Sequence, residues 1–237
     1  RLRRYVHVGT GNYNPKTARV YEDLGLLTAD ERVGADAADL FNHLSGYTRH
    51  RDYETLLVAP DTLRSGILDL IAVETRNALA GRPSGISMKM NSLVDERMID
   101  GLYDASRAGV PVDLLVRGMC SLRPGVPGLS DTVRVRSILG RFLEHSRVYR
   151  FVADGRHEVW IGSADLMDRN LDRRVEALVR VTDERARRRL DEVLELAWSP
   201  DIDHWTLDDD GTWARTPRRA GLRDFQQLLA ARMSRDS

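Results

Sequence analysis

The sequence predicts an α/β protein, a mixed sheet flanked by helices, and three observations carry that prediction. From residue 55 onward, short apolar runs alternate with amphipathic stretches at helical spacing, the pattern of parallel strands joined by helical crossovers. Between residues 132 and 181 strand-like runs succeed one another across turns alone, which adds antiparallel members. The strand-like run Tyr5-Val6-His7-Val8-Gly9-Thr10-Gly11-Asn12 is echoed by Val159-Trp160-Ile161-Gly162-Ser163-Ala164-Asp165, with the two glycines 153 residues apart. Each copy stops at Gly-Thr or Gly-Ser and runs into a polar, arginine-containing tract.

The elements follow in order. A strand over 4–9 leads into the turn-rich Asn12-Tyr13-Asn14-Pro15-Lys16-Thr17. Residues 18–27 read as extended, with Arg19, Tyr21 and Asp23 on one face and Val20 and Leu24 on the other. A helix over 30–45 is opened by Asp30 and carries Val33, Ala37, Leu40, Phe41 and Leu44 at helical spacing. Residues 47–53 are polar and basic and read as a linker. A buried strand over 55–60 precedes a helix over 61–80, capped by Asp61 and ended at Gly81-Arg82-Pro83. Strand 86–91, helix 94–108 ending at Gly109, and strand 111–118 follow. The loop over 119–131 is glycine- and proline-rich. Strands over 132–136, 147–152, 157–162 and 173–181 precede a helix over 183–197. The tail, 201–237, holds the acids Asp208, Asp209 and Asp210, the basic Arg215, Arg218 and Arg219, and a short helix over 221–234. It reads as a surface appendage. The implied division is 1–52, 53–200 and 201–237.

Composition narrows the function classes. The chain is 42% hydrophobic and 30% charged, with a net charge of zero. No overall basic field therefore argues for nucleic acid or an anionic membrane. No apolar run is long enough to span a bilayer. One cysteine, Cys120, excludes an internal disulfide and fits a reducing cytoplasm. The basic residues are almost all arginine; Lys16 and Lys89 are the only lysines.

Residues 143–170 carry the strongest chemical signal. His145 enters a short strand with Arg147 two positions on, so both side chains share one face. Seventeen residues after His145 comes Gly162-Ser163, followed by polar residues at 165, 168 and 170. An imidazole, a fixed cation and small residues that admit backbone N–H groups suit chemistry on phosphate. The plainer alternative is a β-hairpin with an ordinary exposed histidine. In the N-terminal echo a histidine at the same spacing would fall before residue 1, and the chain starts at Arg1 without Met. The expectation is the C-terminal piece of a larger enzyme, cut between one catalytic histidine and the rest of its motif.

Other residues are weighed the same way. Arg117 ends a strand, where ligands of open α/β sheets bind, or is a plain surface arginine. Asn91 and Ser92 suit a turn and a helix cap. His43, His50, His157 and His204 share no spacing that suggests zinc, and no metal ligands are assigned. Cys120 has no neighbouring histidine to activate it and reads as packing. Arg134, Arg136 and Arg141 form either a solvated face or a wall for a polyanion.

Four strings carry a resemblance: 5–23 (Tyr-Val-His-Val-Gly-Thr-Gly-Asn-Tyr-Asn-Pro-Lys-Thr-Ala-Arg-Val-Tyr-Glu-Asp), 114–122 (Leu-Leu-Val-Arg-Gly-Met-Cys-Ser-Leu), 136–147 (Arg-Ser-Ile-Leu-Gly-Arg-Phe-Leu-Glu-His-Ser-Arg) and 162–174 (Gly-Ser-Ala-Asp-Leu-Met-Asp-Arg-Asn-Leu-Asp-Arg-Arg). Over about residues 4–200 the chain resembles the bacterial type 1 polyphosphate kinases, in the style of actinobacterial members. The resemblance implies a phospholipase D-like mixed sheet, the C-terminal part of a two-domain pseudo-repeat. It also implies reversible transfer of the terminal phosphate of ATP to inorganic polyphosphate, through a phosphohistidine that lies upstream of Arg1. It implies Tyr21, Arg117 and His145 as ATP- and phosphate-contacting residues, with His145 catalytic. Supporting positions are His7, Asn12, Arg147, Ser163 and Asn170. Mg2+ ligands are expected upstream, ATP/ADP and polyphosphate are the expected partners, and the full-length protein is expected to be a cytoplasmic homo-oligomer. The competing readings are a phospholipase D-like phosphodiesterase, for which Arg147 stands where a lysine is needed, and a polyphosphate-binding fragment without turnover.

Overall fold

The alternating apolar positions build one nine-stranded sheet, in a computed structural model that describes residues 3–47, 53–217 and 220–234. The N-terminal part holds β1 (Val6–Gly9), β2 (Tyr21–Glu22), β3 (Gly25–Thr28) and α1 (Glu31–Leu44). Next come β4 (Leu56–Ala59), α2 (Leu63–Leu79), β5 (Ile86–Met90), α3 (Glu96–Arg107) and β6 (Val112–Val116). Then β7 (Val133–Ser137), β8 (Leu143–Glu144), β9 (Arg147–Phe151), β10 (Glu158–Gly162), α4 (Asp168–Arg173) and β11 (Glu176–Arg180) follow. The chain closes with α5 (Glu184–Ala197), β12 (Trp205–Leu207), β13 (Trp213–Arg215) and α6 (Phe225–Met233).

The large sheet runs β13-β12-β7-β6-β5-β9-β10-β11-β4. Strands β5, β6 and β7 are parallel, joined by α3 and by the long loop; β9, β10, β11 and β4 continue the sheet antiparallel. Alternation within the strands buries both faces. Tyr149, Phe151, Met88 and Leu114 pack against Ile67 and Ile71 of α2 and Leu102 of α3. Val148, Val159, Ile161 and Val179 face Leu190, Val193 and Leu194 of α5, Phe225 of α6 and Val33 of α1. The result is helices on both sides of a mixed sheet, as the sequence predicts.

The N-terminal segment is attached twice. β1 and β3 form a two-stranded antiparallel sheet, and β2 pairs in parallel with β8. The buried Asp36 of α1 accepts from the backbone N–H groups of Thr55 (2.6 Å) and Leu56 (3.2 Å), fastening α1 to the start of β4.

Four expectations need correction. Residues 15–20 turn rather than extend, so the stretch over 18–27 is strand only at Tyr21–Glu22 and from Gly25 onward. The N-cap of α2 is Thr62, not Asp61, and its hydroxyl accepts from Val58 N–H instead of capping the helix. Arg173 ends the helix α4 rather than opening a strand, because Asp168 to Arg173 complete one turn before β11. The tail is no appendage. β12 pairs with β7 and extends the sheet, and the buried Gln226 of α6 bonds Phe142 and Glu144. Within the proposed linker, residues 48–52, with His50, lie outside the described residues, as do Arg218 and Arg219.

Candidate functional site

The site lies beyond the carboxyl ends of β5, β6 and β10, where loops leave the sheet. Because β9 runs antiparallel to both β5 and β10, its first residue, Arg147, sits at this end and pairs with Gly162. His145 stands just before β9. A cavity of about 350 Å³ opens there, and its wall includes His145, Arg147, Asn12, Ser163 and Asn170. Five of the predicted positions are thus brought together from three separate stretches of chain. Arg169, Arg174 and Glu176 also line it.

His145 is oriented by a partner the sequence analysis did not select. Its Nδ1 lies 2.9 and 3.0 Å from the two carboxylate oxygens of Asp23. A carboxylate only accepts, so Nδ1 carries the proton and donates it to this bond, leaving Nε2 as the ring's exchangeable site. Asp23 is held in turn by the Thr10 hydroxyl at 2.7 Å. Gly11 makes the approach possible, since a Cβ there would stand 2.0 Å from the Asp23 carboxylate. Burial alone would raise the pKa of Asp23. The bonds from His145 and Thr10, with the charges of His145 and Arg147, outweigh burial and hold it below the usual carboxylate value. The Gly-Thr-Gly echo near the N-terminus is therefore a cradle for the carboxylate that holds His145.

Arg147 is fixed rather than free. Buried, it forks onto Asp165 through Nε (3.3 Å) and Nη2 (2.9 Å), and Nη1 donates to the Thr10 carbonyl at 2.8 Å. That same Nη1 lies 3.2 Å from Nε2 of His145. Asp165 also accepts from Asn91 N–H at 2.7 Å, and the Asn91 side-chain oxygen accepts from Arg117 Nε (2.8 Å) and Nη2 (2.7 Å). Arg117 does not line the cavity and is linked to His145 through Asn91, whose amide donates to the His145 carbonyl at 3.3 Å. Tyr21 reaches the site by its ring, whose centroid lies 4.6 Å from that of His145.

Two expectations about the site change. Gly162 does not open space for an oxyanion. A Cβ there would lie 1.9 Å from the Ala177 carbonyl, so glycine is what lets β11 close against β10. The Ser163 N–H donates to that carbonyl at 3.1 Å and is already committed. His7 lies outside the cavity, exposed on β1 and bonded to the Tyr13 hydroxyl. Asn12 holds the following turn through Thr17, at 3.1 Å, and Asn170 donates to Glu176 at 2.7 Å.

The remaining candidates fall elsewhere. Burial pushes the Cys120 thiol up to about 11, which removes it as a nucleophile. Arg134 and Arg136 stack on Trp198, at 4.7 and 4.5 Å from its ring centroid, beside a separate cavity. Among the described residues no group of three or more His, Cys, Asp or Glu side chains could hold a metal ion.

Known proteins share this architecture. Residues 56–226 match the family model described as polyphosphate kinase C-terminal domain 2, and residues 1–50 match polyphosphate kinase C-terminal domain 1. The polyphosphate kinase of Streptomyces coelicolor is 59% identical over 231 residues, covering 96% of this chain and 31% of that protein. That of Mycolicibacterium gilvum is 53% identical over 232 residues, covering 98% of this chain and 32% of its own. The crystal structure of polyphosphate kinase from Porphyromonas gingivalis superposes with a TM-score of 0.93 at 34% identity, covering 99% of this chain and 36% of that one. The chain spans about a third of the length of the curated relatives it matches. With most of its length matched by the family's own model, the chain belongs to the polyphosphate kinase family.

Proposed function

We propose that this chain supplies part of the active site of an ATP:polyphosphate phosphotransferase, which moves the terminal phosphate of ATP reversibly onto inorganic polyphosphate through a phosphohistidine outside this chain. The observation that carries the reading is His145, locked by Asp23 at Nδ1 on the wall of a cavity that also holds Arg147, Arg169 and Arg174. Phosphoryl transfer asks for positioning and for neutralisation of the phosphate oxygens more than for covalent help from many groups.

The residues divide the work as follows. As an imidazolium, His145 donates from Nε2 to the transferring phosphate, and as the neutral ring it accepts a proton there; the Asp23 carboxylate stabilises the charged form. Arg147 has spent its fork on Asp165 and Thr10, so its role is to fix the ring and add a positive field. Arg117 has given Nε and Nη2 to Asn91, which leaves Nη1 to meet an ATP phosphate. Tyr21, its ring tilted against that of His145, offers its hydroxyl to the γ-phosphate. His7, Asn12, Ser163 and Asn170 support the loops around these groups, and none is assigned a chemical step. The division at residues 52 and 53 marks two phospholipase D-like units. An enzyme that draws on the ATP pool belongs in the cytoplasm.

The test uses the full-length protein carrying this chain, incubated with γ-labelled ATP. The expected result is an acid-labile phosphoprotein and labelled polyphosphate. His145→Ala should lower synthesis by about 10²–10⁴-fold, the range for losing a general acid–base group. Wild-type protein that forms no acid-labile phosphohistidine would overturn the reading, and cleavage of a phosphodiester instead would favour the phosphodiesterase.

A further inference from the structure

Lys89 is one of only two lysines in this arginine-rich chain, and it is buried in the central strand β5. Its Nζ donates to the Ser146 hydroxyl at 2.6 Å, Glu22 at 2.9 Å and the Ser146 carbonyl at 3.3 Å, and forms an ion pair with Glu144 at 3.0 Å. These acceptors surround a point, which suits a compact ammonium with three rotatable donors and not the planar fork of arginine. A buried charge is costly to keep, so its partners merit an explanation.

The partners explain themselves by register. β2 and β8 are two residues each, paired in parallel with Tyr21 opposite Leu143 and Glu22 opposite Glu144. A pair this short has little stability of its own. It also sets two carboxylates directly across from each other, an arrangement that repels. Lys89 lies between those carboxylates and converts the repulsion into a bridge. The next residue on each strand is a member of the candidate site: Asp23 follows Glu22, and His145 follows Glu144. The backbone continues the same register, with His145 N–H donating to the Glu22 carbonyl at 3.1 Å.

We propose that Lys89 is a positioning residue for the Asp23–His145 pair, clamping Glu22 to Glu144 so that the parallel register of β2 and β8 delivers the carboxylate to Nδ1. A slip of one residue would put Glu22 opposite Leu143 or His145 and turn Asp23 to the other face. Ser146 shares in the clamp, since its hydroxyl meets both Lys89 and Glu22 while its backbone follows His145. The effect on turnover rests on the phosphotransfer reading above; the effect on the imidazole does not.

The test separates the two. Nitrogen-15 NMR on histidine-labelled chain, at mildly alkaline pH, reads the ring tautomer of His145. Wild type should show the single Nδ1–H form, and Asp23→Asn should lose it. Lys89→Met leaves two buried acids without a partner and risks misfolding, so Lys89→Met/Glu22→Gln is the informative variant. Its amide at position 22 keeps a bond to Ser146, and Glu144 keeps Gln226. If that variant melts as a cooperative fold, the expected result is a mixture of the two tautomers. In the full-length protein its kcat should fall by about 10²-fold, the cost of a misplacement near 1 Å, with KM for ATP unchanged. A retained single tautomer with undiminished kcat would reduce Lys89 to a buried counter-ion and overturn the proposal. A tautomer mixture beside a wild-type protein that makes no polyphosphate would uphold the clamp and overturn the phosphotransfer reading.

Discussion

At the scale of the residue, the imidazole of His145 is defined more by its neighbours than by itself. Asp23 fixes which nitrogen bears the proton, Arg147 crowds the other side of the ring, and Tyr21 packs against it at a tilt. Asp23→Asn keeps the shape but lets the amide present either an acceptor or a donor to Nδ1. Turnover of the full-length protein should fall by about 10- to 100-fold, as when a residue orienting a functional side chain is lost, and steady-state kinetics would show it in kcat. Unchanged kcat would dissociate the carboxylate from the chemistry. His145 and Arg147 were legible in the sequence because they sit two residues apart beside a hairpin. Asp23 was visible only as one polar residue in a short segment, since nothing local says that it will meet a histidine 122 positions away. The one clue was the pair of glycines around Thr10, small for a reason that only the folded approach of Asp23 explains.

At the scale of the element, the β9–β10–β11 strands show how much of a motif is architecture. Gly162 and Ser163 suit an oxyanion cradle in the sequence, and in the fold they let two strands meet. Gly162→Ala would push a methyl group into a backbone carbonyl that cannot rotate away. The expected cost is about 3 kcal/mol, at the upper end for overpacking, which lowers Tm by about 6–12 °C for a chain of this size. A thermal melt within a degree of wild type would refute the strand-contact explanation. The tail is illegible in the sequence for the opposite reason. β12 and β13 are three residues each, too brief for a periodic signal, and only pairing with β7 makes them strands. Helices were the most legible elements, and Asp30, Asp95, Asp183 and Asp224 each accept the capping bond from a backbone N–H.

At the scale of the whole molecule, charge is arranged to make the site's acids ionised inside the fold. Burial works against Glu22, and Lys89 overcomes it, so its pKa lies below the ordinary value, as does that of Asp23. A depressed carboxylate contributes stability above its unfolded pKa and loses it as pH falls through the folded value. Burial raises Glu144 and Glu74, which therefore contribute at low pH and lose that contribution as pH rises. Tm should thus decline below the usual carboxylate range, and the decline should flatten in Glu22→Gln/Asp23→Asn. Calorimetry across acid pH checks this, and an equally steep double variant would place the acid sensitivity elsewhere. The strand and helix layers were readable because alternation and 3.6-residue spacing are local, whereas this charge pattern exists only after β2 meets β8.

The Thr10 carbonyl on Arg147, Asp23 on His145 and Glu22 on Lys89 are also a seam by which residues 3–30 adhere to the sheet. Orientation of the imidazole and attachment of that segment are therefore one event. The segment also packs Val6, Val8, Leu24 and Leu26 against the sheet, and a local opening of this seam would release the ring. Anything that lodges in the cavity and touches both sides of the seam acts as its fastener. Amide exchange in β1 to β3 should then slow when such a ligand binds, with no change in the central strands.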